Sequence, residues 1–486
     1  MLIAAVDVGS ARARAGLFSA EGRLLARASQ GFAAIAGPDQ QAGHDFAEIW
    51  RAVAEALAEA RRQAGASPGQ IRALAFDATC SLVVEAPGFA PDVIAWHDHR
   101  AIAEARELDA MGHEIVTRAG GAVSPEMQTP KLMWLARHRP EAWAGLTGIR
   151  DLCDQLAFRA TGIEARSHCA TVAKWPWLPD RGGWQTDLMT RAGIDGFPRP
   201  GAVLPAGTPI GPLSAAGAAE LGLDRDTMVA AGLIDAFAGA LGAAPEMPAL
   251  IAGTSNCVMA TGLGPAPALW GPYPGAILPD EAVSEGGQSA TGAALEQIRR
   301  LYPQPQSHDE ILARIARAPD EPGQGVHVLP DFKGSRTPFA DPLMRGTVHG
   351  LALDGSIAAL DGLYWRAAVG IALGTRQVIA HMGLTPQRLA MAGGQARAPA
   401  MRQLYADATG AEIHWQPEDA VLRGTAIAAA APLAGGLRAA RARFARPVEI
   451  TRPDPAARAR READWRIFQR LQEQRAEIAA MLPAQS

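Results

Sequence analysis

Leu2-Ile3-Ala4-Ala5-Val6 runs as an apolar strand into the turn Asp7-Val8-Gly9-Ser10. Half a chain later Ala249-Leu250-Ile251-Ala252 runs in the same way into Gly253-Thr254-Ser255. Each turn offers a phosphate backbone N–H groups and a hydroxyl, and glycine lets the backbone come close. Two such turns, each heading one half of the chain, predict two domains that grip one polyphosphate from opposite sides. The pairing points to an ATP-dependent phosphotransferase.

The 486 residues are 48% apolar, enough for two or three domains with sizeable cores. A net charge of −4 gives no basic field for nucleic acid or anionic lipid. The N-terminal apolar run is cut by Asp7 and has no basic leader, so no signal peptide is expected. The longest apolar stretch, Met228 to Ala244, carries Asp235 and is too interrupted to span a bilayer. Cys80, Cys153, Cys169 and Cys257 are scattered, which fits a reduced, cytoplasmic protein without structural zinc or disulfides. Of 46 basic residues only Lys131, Lys174 and Lys333 are lysine, which marks them as places where a compact ammonium is wanted.

Strand and helix patterns alternate, as in an α/β protein whose ligands sit beyond the carboxyl ends of its strands. The strand Leu2–Val6 leads a meander through Ala13–Phe18 and Arg23–Ser29. An amphipathic helix follows at Phe46–Gln63. The strand Ile71–Phe76 then delivers Asp77 and Thr79, and Ala101–Met111 and Pro130–Arg137 read as helices. Ala244–Pro248 reads as a hinge. Beyond it lie strand Ala249–Ala252, a loop then helix over Gly286–Ile298, and helix Leu360–His381. Strand Arg388–Ala392, helix Pro399–Thr409 and strand Glu412–Trp415 complete the second half. Three parts are expected: residues 1–244, residues 245–437, and a helical tail over 438–486 whose Asp454–Met481 helix is exposed.

Two carboxylates stand out. Asp7 beside a phosphate cradle reads either as a Mg²⁺ ligand or as a strand-end Asx turn. Asp235 follows the strand Val229–Ile234 and precedes the helix Ala236–Leu241 among apolar neighbours. There it reads either as a base for a substrate hydroxyl or as a plain helix cap. Trp96-His97-Asp98-His99-Arg100 joins an aromatic floor to a carboxylate, which suits a polyhydroxylated ligand. A zinc reading of its His-x-His lacks further ligands. Lys174 lies between aromatics in Ala173-Lys174-Trp175-Pro176-Trp177. Glu285-Gly286-Gly287-Gln288-Ser289-Ala290 reads as a polar loop, and Met391-Ala392-Gly393-Gly394-Gln395 as a turn able to seat a nucleotide.

Assembled, these positions resemble an FGGY-type carbohydrate kinase of the ribulokinase-like branch over nearly the full length. The matching stretches are Phe76–Val83, Trp96–Ala101, Ser124-Pro125-Glu126-Met127, Pro130-Lys131-Leu132, Glu285–Ala290 and Arg336–Pro342. The resemblance implies two actin/hexokinase-like (ribonuclease H-like) α/β domains that close on ATP, Mg²⁺ and a sugar. By motif it implies Asp235 as catalytic base, with Asp7, Gly9, Ser10 and Arg14 in the first phosphate loop and Asp7 on the metal. Gly253, Thr254 and Ser255 match the second loop, and Gly393, Gly394 and Gln395 the adenosine motif. Asp77, Thr79, Trp96, Asp98, Glu126, Lys174 and Glu285 match sugar contacts, beside Asp235. The implied reaction is phosphorylation of a terminal pentulose hydroxyl, D-ribulose foremost, with ribitol, L-ribulose or another pentitol as alternatives. A homodimer and no nucleic-acid or membrane partner are expected. The chain departs from the branch at Ala11-Arg12, at Gln395-Ala396-Arg397 and at Arg423. The first of these leaves a catalytically weak sugar-binding regulator as a rival reading. A chaperone- or filament-type ATPase on the same fold is a second rival, but it would need a client-binding domain.

Overall fold

A computed structural model describes residues 1–38 and 41–481. Its two halves repeat one sheet. In the first half, β1 (Leu2–Val8) pairs antiparallel with β2 (Arg12–Ser19), and β2 with β3 (Leu24–Gly31). On its other side β1 runs parallel to β4 (Ile71–Ala78), and β4 parallel to β5 (Met228–Ile234). In the second half, β6 (Ala249–Ala252), β7 (Asn256–Thr261) and β8 (Ala282–Gln288) form the antiparallel arm. β9 (Arg388–Ala392) and β10 (Glu412–Trp415) form the parallel one. The order 3-2-1-4-5 thus occurs twice, with short strands added at the edges.

The sequence explains the main elements. The central strands are buried on both faces, so β1 and β4 are near-continuous apolar runs. Helix α1 (Phe46–Gln63) starts at Asp45, whose carboxylate accepts from the Ala47 N–H at 2.8 Å. It buries Ile49, Val53, Ala56, Leu57 and Ala60, the helical spacing of one face. Helix α3 (Ile357–His381) is long and apolar enough to cross a membrane by composition. It lies instead in the second core, with 67% of its most apolar window buried.

The helix α2 (Asp235–Gly242) hangs from β5 and carries Asp235 at its first position. It packs against α5 (Ala420–Ala434), which follows the second sheet in the chain but joins the first core through Val421, Leu422, Ala426 and Ile427. The two helices touch backbone to backbone at glycines. A Cβ on Gly424 would strike the Ala238 carbonyl, and one on Gly242 the Ala420 carbonyl. The chain therefore crosses between the halves at Ala243–Pro248, again at Gln416–Asp419, and a third time around Phe444–Val448. After that last crossing the strand Glu449–Thr451 pairs with β10.

Two expectations change. Glu285–Gln288 is part of β8, not a loop, because Gly286 and Gly287 let β7, α3 and Arg336 come close. The helix α6 (Pro455–Met481) is not a free tail. It buries Phe468 and Leu471 in the second core, and Asp464 pairs with Arg366 inside it at 2.5 Å.

Gly424→Ala gains about 1 kcal/mol of helix propensity, but its methyl must push α2 from α5. We predict a net loss of about 1–3 kcal/mol, read as a lower denaturant midpoint. An unchanged or higher midpoint would contradict the glycine contact.

Candidate active site

Between the halves lies a cleft of about 460 Å³. Both phosphate turns open into it through Gly9, Ser10, Gly253, Thr254 and Ser255, and Gly393 with Gly394 lines the far side. The turns close alike. The Gly9 N–H donates to the Arg12 carbonyl at 3.0 Å, and the Gly253 N–H to the Ser255 carbonyl at 3.0 Å. Arg12 itself is exposed and does not line the cleft. Gly393 holds φ 94°, where its missing Cβ avoids the Ala252 carbonyl.

Gln395 was expected on the nucleotide, but it braces the cradle from behind. Its amide donates to the Gly253 carbonyl at 3.1 Å and to Thr291 Oγ1 at 3.1 Å, and it accepts from the Tyr405 hydroxyl at 2.9 Å.

Under the first turn lies a knot of carboxylates. Asp7 and Asp77 are fully buried neighbours on β1 and β4. Arg14, across β2, ion-pairs with Asp7 and with Asp419 Oδ2 at 2.7 Å. Asp419 caps α5, accepting from the Val421 N–H at 3.2 Å. Among the described residues no donor reaches Asp7 Oδ1 or Asp77 Oδ1, and the two buried carboxyls lie within hydrogen-bond reach of each other once one holds a proton. Burial raises the pKa of both, and mutual repulsion raises Asp77 further. Asp77 was expected at the sugar. Its place beneath the turn, where it accepts from the Thr425 hydroxyl, corrects that.

Asp235 opens to the cleft at the start of α2, and its Oδ1 accepts from the Ala236 N–H at 2.8 Å. It is the first helical residue, not the cap. Burial first, and then the charge of Asp7, raises its pKa to about 6.

The other end of the cleft holds Thr79, Trp96, Glu126, Lys174 and Glu285, all expected, together with Trp270 and Arg336. Lys174 Nζ lies 4.4 Å and the Arg336 guanidinium 3.9 Å from the Trp270 ring centre. Arg336 also ion-pairs with Glu285, whose Oε1 accepts from Cys257 Sγ at 2.9 Å. Burial opposes ionisation of Glu126 and Glu285. His99 nevertheless pulls Glu126 down to about 2, and Arg336 with Lys174 lowers Glu285. Two carboxylates thus face two cations over one indole.

Trp96 donates from Nε1 to Ser10 Oγ at 3.0 Å, so the aromatic end of the cleft and the first turn share a bond. Beneath it, Lys131 Nζ donates to the Ala95 carbonyl at 3.0 Å and the Trp96 carbonyl at 3.3 Å. Asp98 corrects another expectation. It is fully buried, grips Arg100 through two bonds of 2.8 Å and accepts from the Ala42 N–H, so it shapes the Trp96 loop without reaching the cleft. Trp270 and Asp419 were missed because only long-range packing brings them here. Arg336 had a signal, since it heads the quoted stretch Arg336–Pro342.

A carboxylate with a raised native pKa weakens folding as it ionises, so the cost of Asp235 grows from about pH 4 to pH 6 and stays above that. Asp235→Asn removes the charge. We predict a variant that is more stable than wild type at pH 7, by on the order of 1–2 kcal/mol given that the carboxylate opens to the cleft, and equally stable near pH 4. Equal melting at pH 7 would contradict the strained carboxylate.

Comparison with known proteins places this geometry. Residues 2–242 match the N-terminal domain, and residues 249–433 the C-terminal domain, of the FGGY family of carbohydrate kinases. An FGGY carbohydrate kinase domain-containing protein of Danio rerio is 33% identical over 98% of both chains. A D-ribulokinase of Saccharomyces cerevisiae is 30% identical over 84% of this chain and 68% of its own length. The solved structure of a ligand-bound xylulose kinase from Lactobacillus acidophilus superposes with a TM-score of 0.82 at 19% identity, covering 98% of each chain. The matches span both halves and the cleft between them: the chain belongs to the FGGY family of carbohydrate kinases.

Proposed function

We propose that this kinase transfers the γ-phosphoryl group of ATP to a terminal hydroxyl of a pentulose, D-ribulose foremost. One observation carries the reading. A single cavity holds two phosphate turns, a poised carboxylate and a charge-balanced, tryptophan-floored pocket. Lys174 and Arg336 against Glu126 and Glu285 leave that pocket without net charge. It therefore suits a neutral polyol, which needs both donors and acceptors, better than a sugar acid. Similarity to the yeast D-ribulokinase supports the pentulose.

In this reading Trp96, Trp270 and the charged residues orient the sugar, and Asp235 accepts the proton of the attacking hydroxyl. The N–H groups of Ser10, Thr254 and Ser255 would face the transferring phosphoryl, since those of Gly9 and Gly253 close their own turns. Arg14, which itself lines the cleft, holds the first turn in place through Asp7. The buried Asp7–Asp77 pair, which no donor reaches at Oδ1 of either residue, fits a nearby divalent cation, and among the described residues no cluster of three ligands forms without the phosphates. Asp7 would hold Mg²⁺, which would neutralise charge on the phosphates. Arg12 is exposed and does not line the cleft, which favours the kinase reading over a weak regulator.

ADP release measured across D-ribulose, L-ribulose, ribitol and an aldonate tests the substrate. D-ribulose is expected to give the highest kcat/KM and the aldonate none. A preferred aldonate would overturn the charge-balance argument, and a preferred pentitol the pentulose assignment. Asp235→Ala is expected to lower kcat about 10²–10⁴-fold while ADP still binds. Near-normal turnover would refute the base.

A further inference from the structure

A second cavity, of about 600 Å³, lies at the end of α2 and shares Ala243, Gln416 and Arg423 with the cleft, without reaching the phosphate turns. All three chain crossings contribute to its wall, through Ala243–Pro248, Gln416 and Phe444–Val448. No part of the proposed reaction uses it.

Its charge is unusual. Arg423 is almost wholly buried in this wall, and its Nη1 has no hydrogen-bond partner. The nearest carboxylate, Glu418, stays 3.7 Å away. Arg441 has a buried Nε without a partner and no carboxylate within ion-pair distance among the described residues. Arg446 meets backbone carbonyls, and Glu418 lies 3.9 Å from its Nε. Arg438 is paired at hydrogen-bond distance, with Asp280 and Glu281, and Glu246 also lines the wall. A buried guanidinium whose carboxylate stands beyond hydrogen-bond distance is costly, and it lowers that cost by taking an anion. Burial accordingly lowers the pKa of Arg423 to about 10 and also lowers that of Arg441.

Arg423 also reaches the catalytic side. It lines both cavities, and its Nε donates to the Gly242 carbonyl at 2.7 Å. Gly242 ends the helix that begins at Asp235.

We propose that the rear cavity binds a small oxyanion, a phosphate or a carboxylate, held by Arg423, Arg441 and Arg446, and that its occupancy alters sugar binding through Arg423 and the crossings. The anion would sit between chain segments that must shift when the halves close. Fork-shaped guanidinium groups fit planar or tetrahedral oxyanions in two-bond geometry. The binding claim does not depend on which sugar is phosphorylated.

The test uses full-length protein with its cleft saturated by ADP and Mg²⁺, titrated calorimetrically with inorganic phosphate and separately with succinate. Saturable binding of at least one probe is expected. Arg441→Gln and Arg446→Gln should each weaken it at least tenfold, with melting temperatures showing both variants folded. Without probe, Arg441→Gln should keep kcat within twofold of wild type. With the bound probe present, the sugar KM should shift at least twofold in wild type and not in Arg441→Gln. No saturable binding to the ADP-filled protein, or wild-type binding in both variants, would overturn the site. An equal KM shift in wild type and Arg441→Gln, or none in either, would overturn its link to the cleft.

Discussion

The ion pairs of Arg14 are the constraint on which the site rests. Asp7, Asp77, Asp235 and Asp419 converge from four segments where water is scarce, and each would drive the others apart. Arg14 bonds to Asp7 on the first sheet and to Asp419 at the head of α5, so one guanidinium ties the first phosphate turn to the second half of the chain. The compensation is incomplete, since Asp7, Asp77 and Asp235 all keep raised pKa values. In the proposed reaction that residual tension would favour a cation near Asp7 and a proton acceptor at Asp235.

The same logic links fold to motion. Helix α5 is covalently part of the second half yet packed on the first sheet, locked by the glycine contact with α2. The covalent links between the halves are the three crossings, and α2, with Asp235, packs with the first sheet. Closure would bring Gly253–Ser255 toward Asp235 and exclude water from the transfer. The rear cavity sits where those crossings gather.

Much of this was legible in the sequence because its signals are local. The bounds of Phe46–Gln63, Ala249–Ala252, Arg388–Ala392, Pro399–Thr409 and Glu412–Trp415 follow from periodicity and end signals, and the structure has them at those residues. The two phosphate turns and Asp235 were visible as polar atoms at the ends of apolar strands. What failed was non-local. Gly286-Gly287 reads as a loop until one sees that β7 and Arg336 need the space. Asp98 stands beside Trp96 in sequence, but Arg100, two residues on, takes its carboxylate inward. Gln395 looks like a nucleotide contact until Tyr405 and Thr291 are seen to claim its amide. No spacing rule announces Trp270 or Asp419.

The central claim is that a carboxylate strained by its neighbours, Asp235, is the base that starts phosphoryl transfer. The most direct test is the pH dependence of kcat/KM, which reports groups of the free enzyme. Because the base works only when ionised, kcat/KM for the preferred sugar should fall about tenfold per pH unit below an apparent pKa near 6 and level off above it. A profile flat from pH 5 to pH 8 would contradict the account.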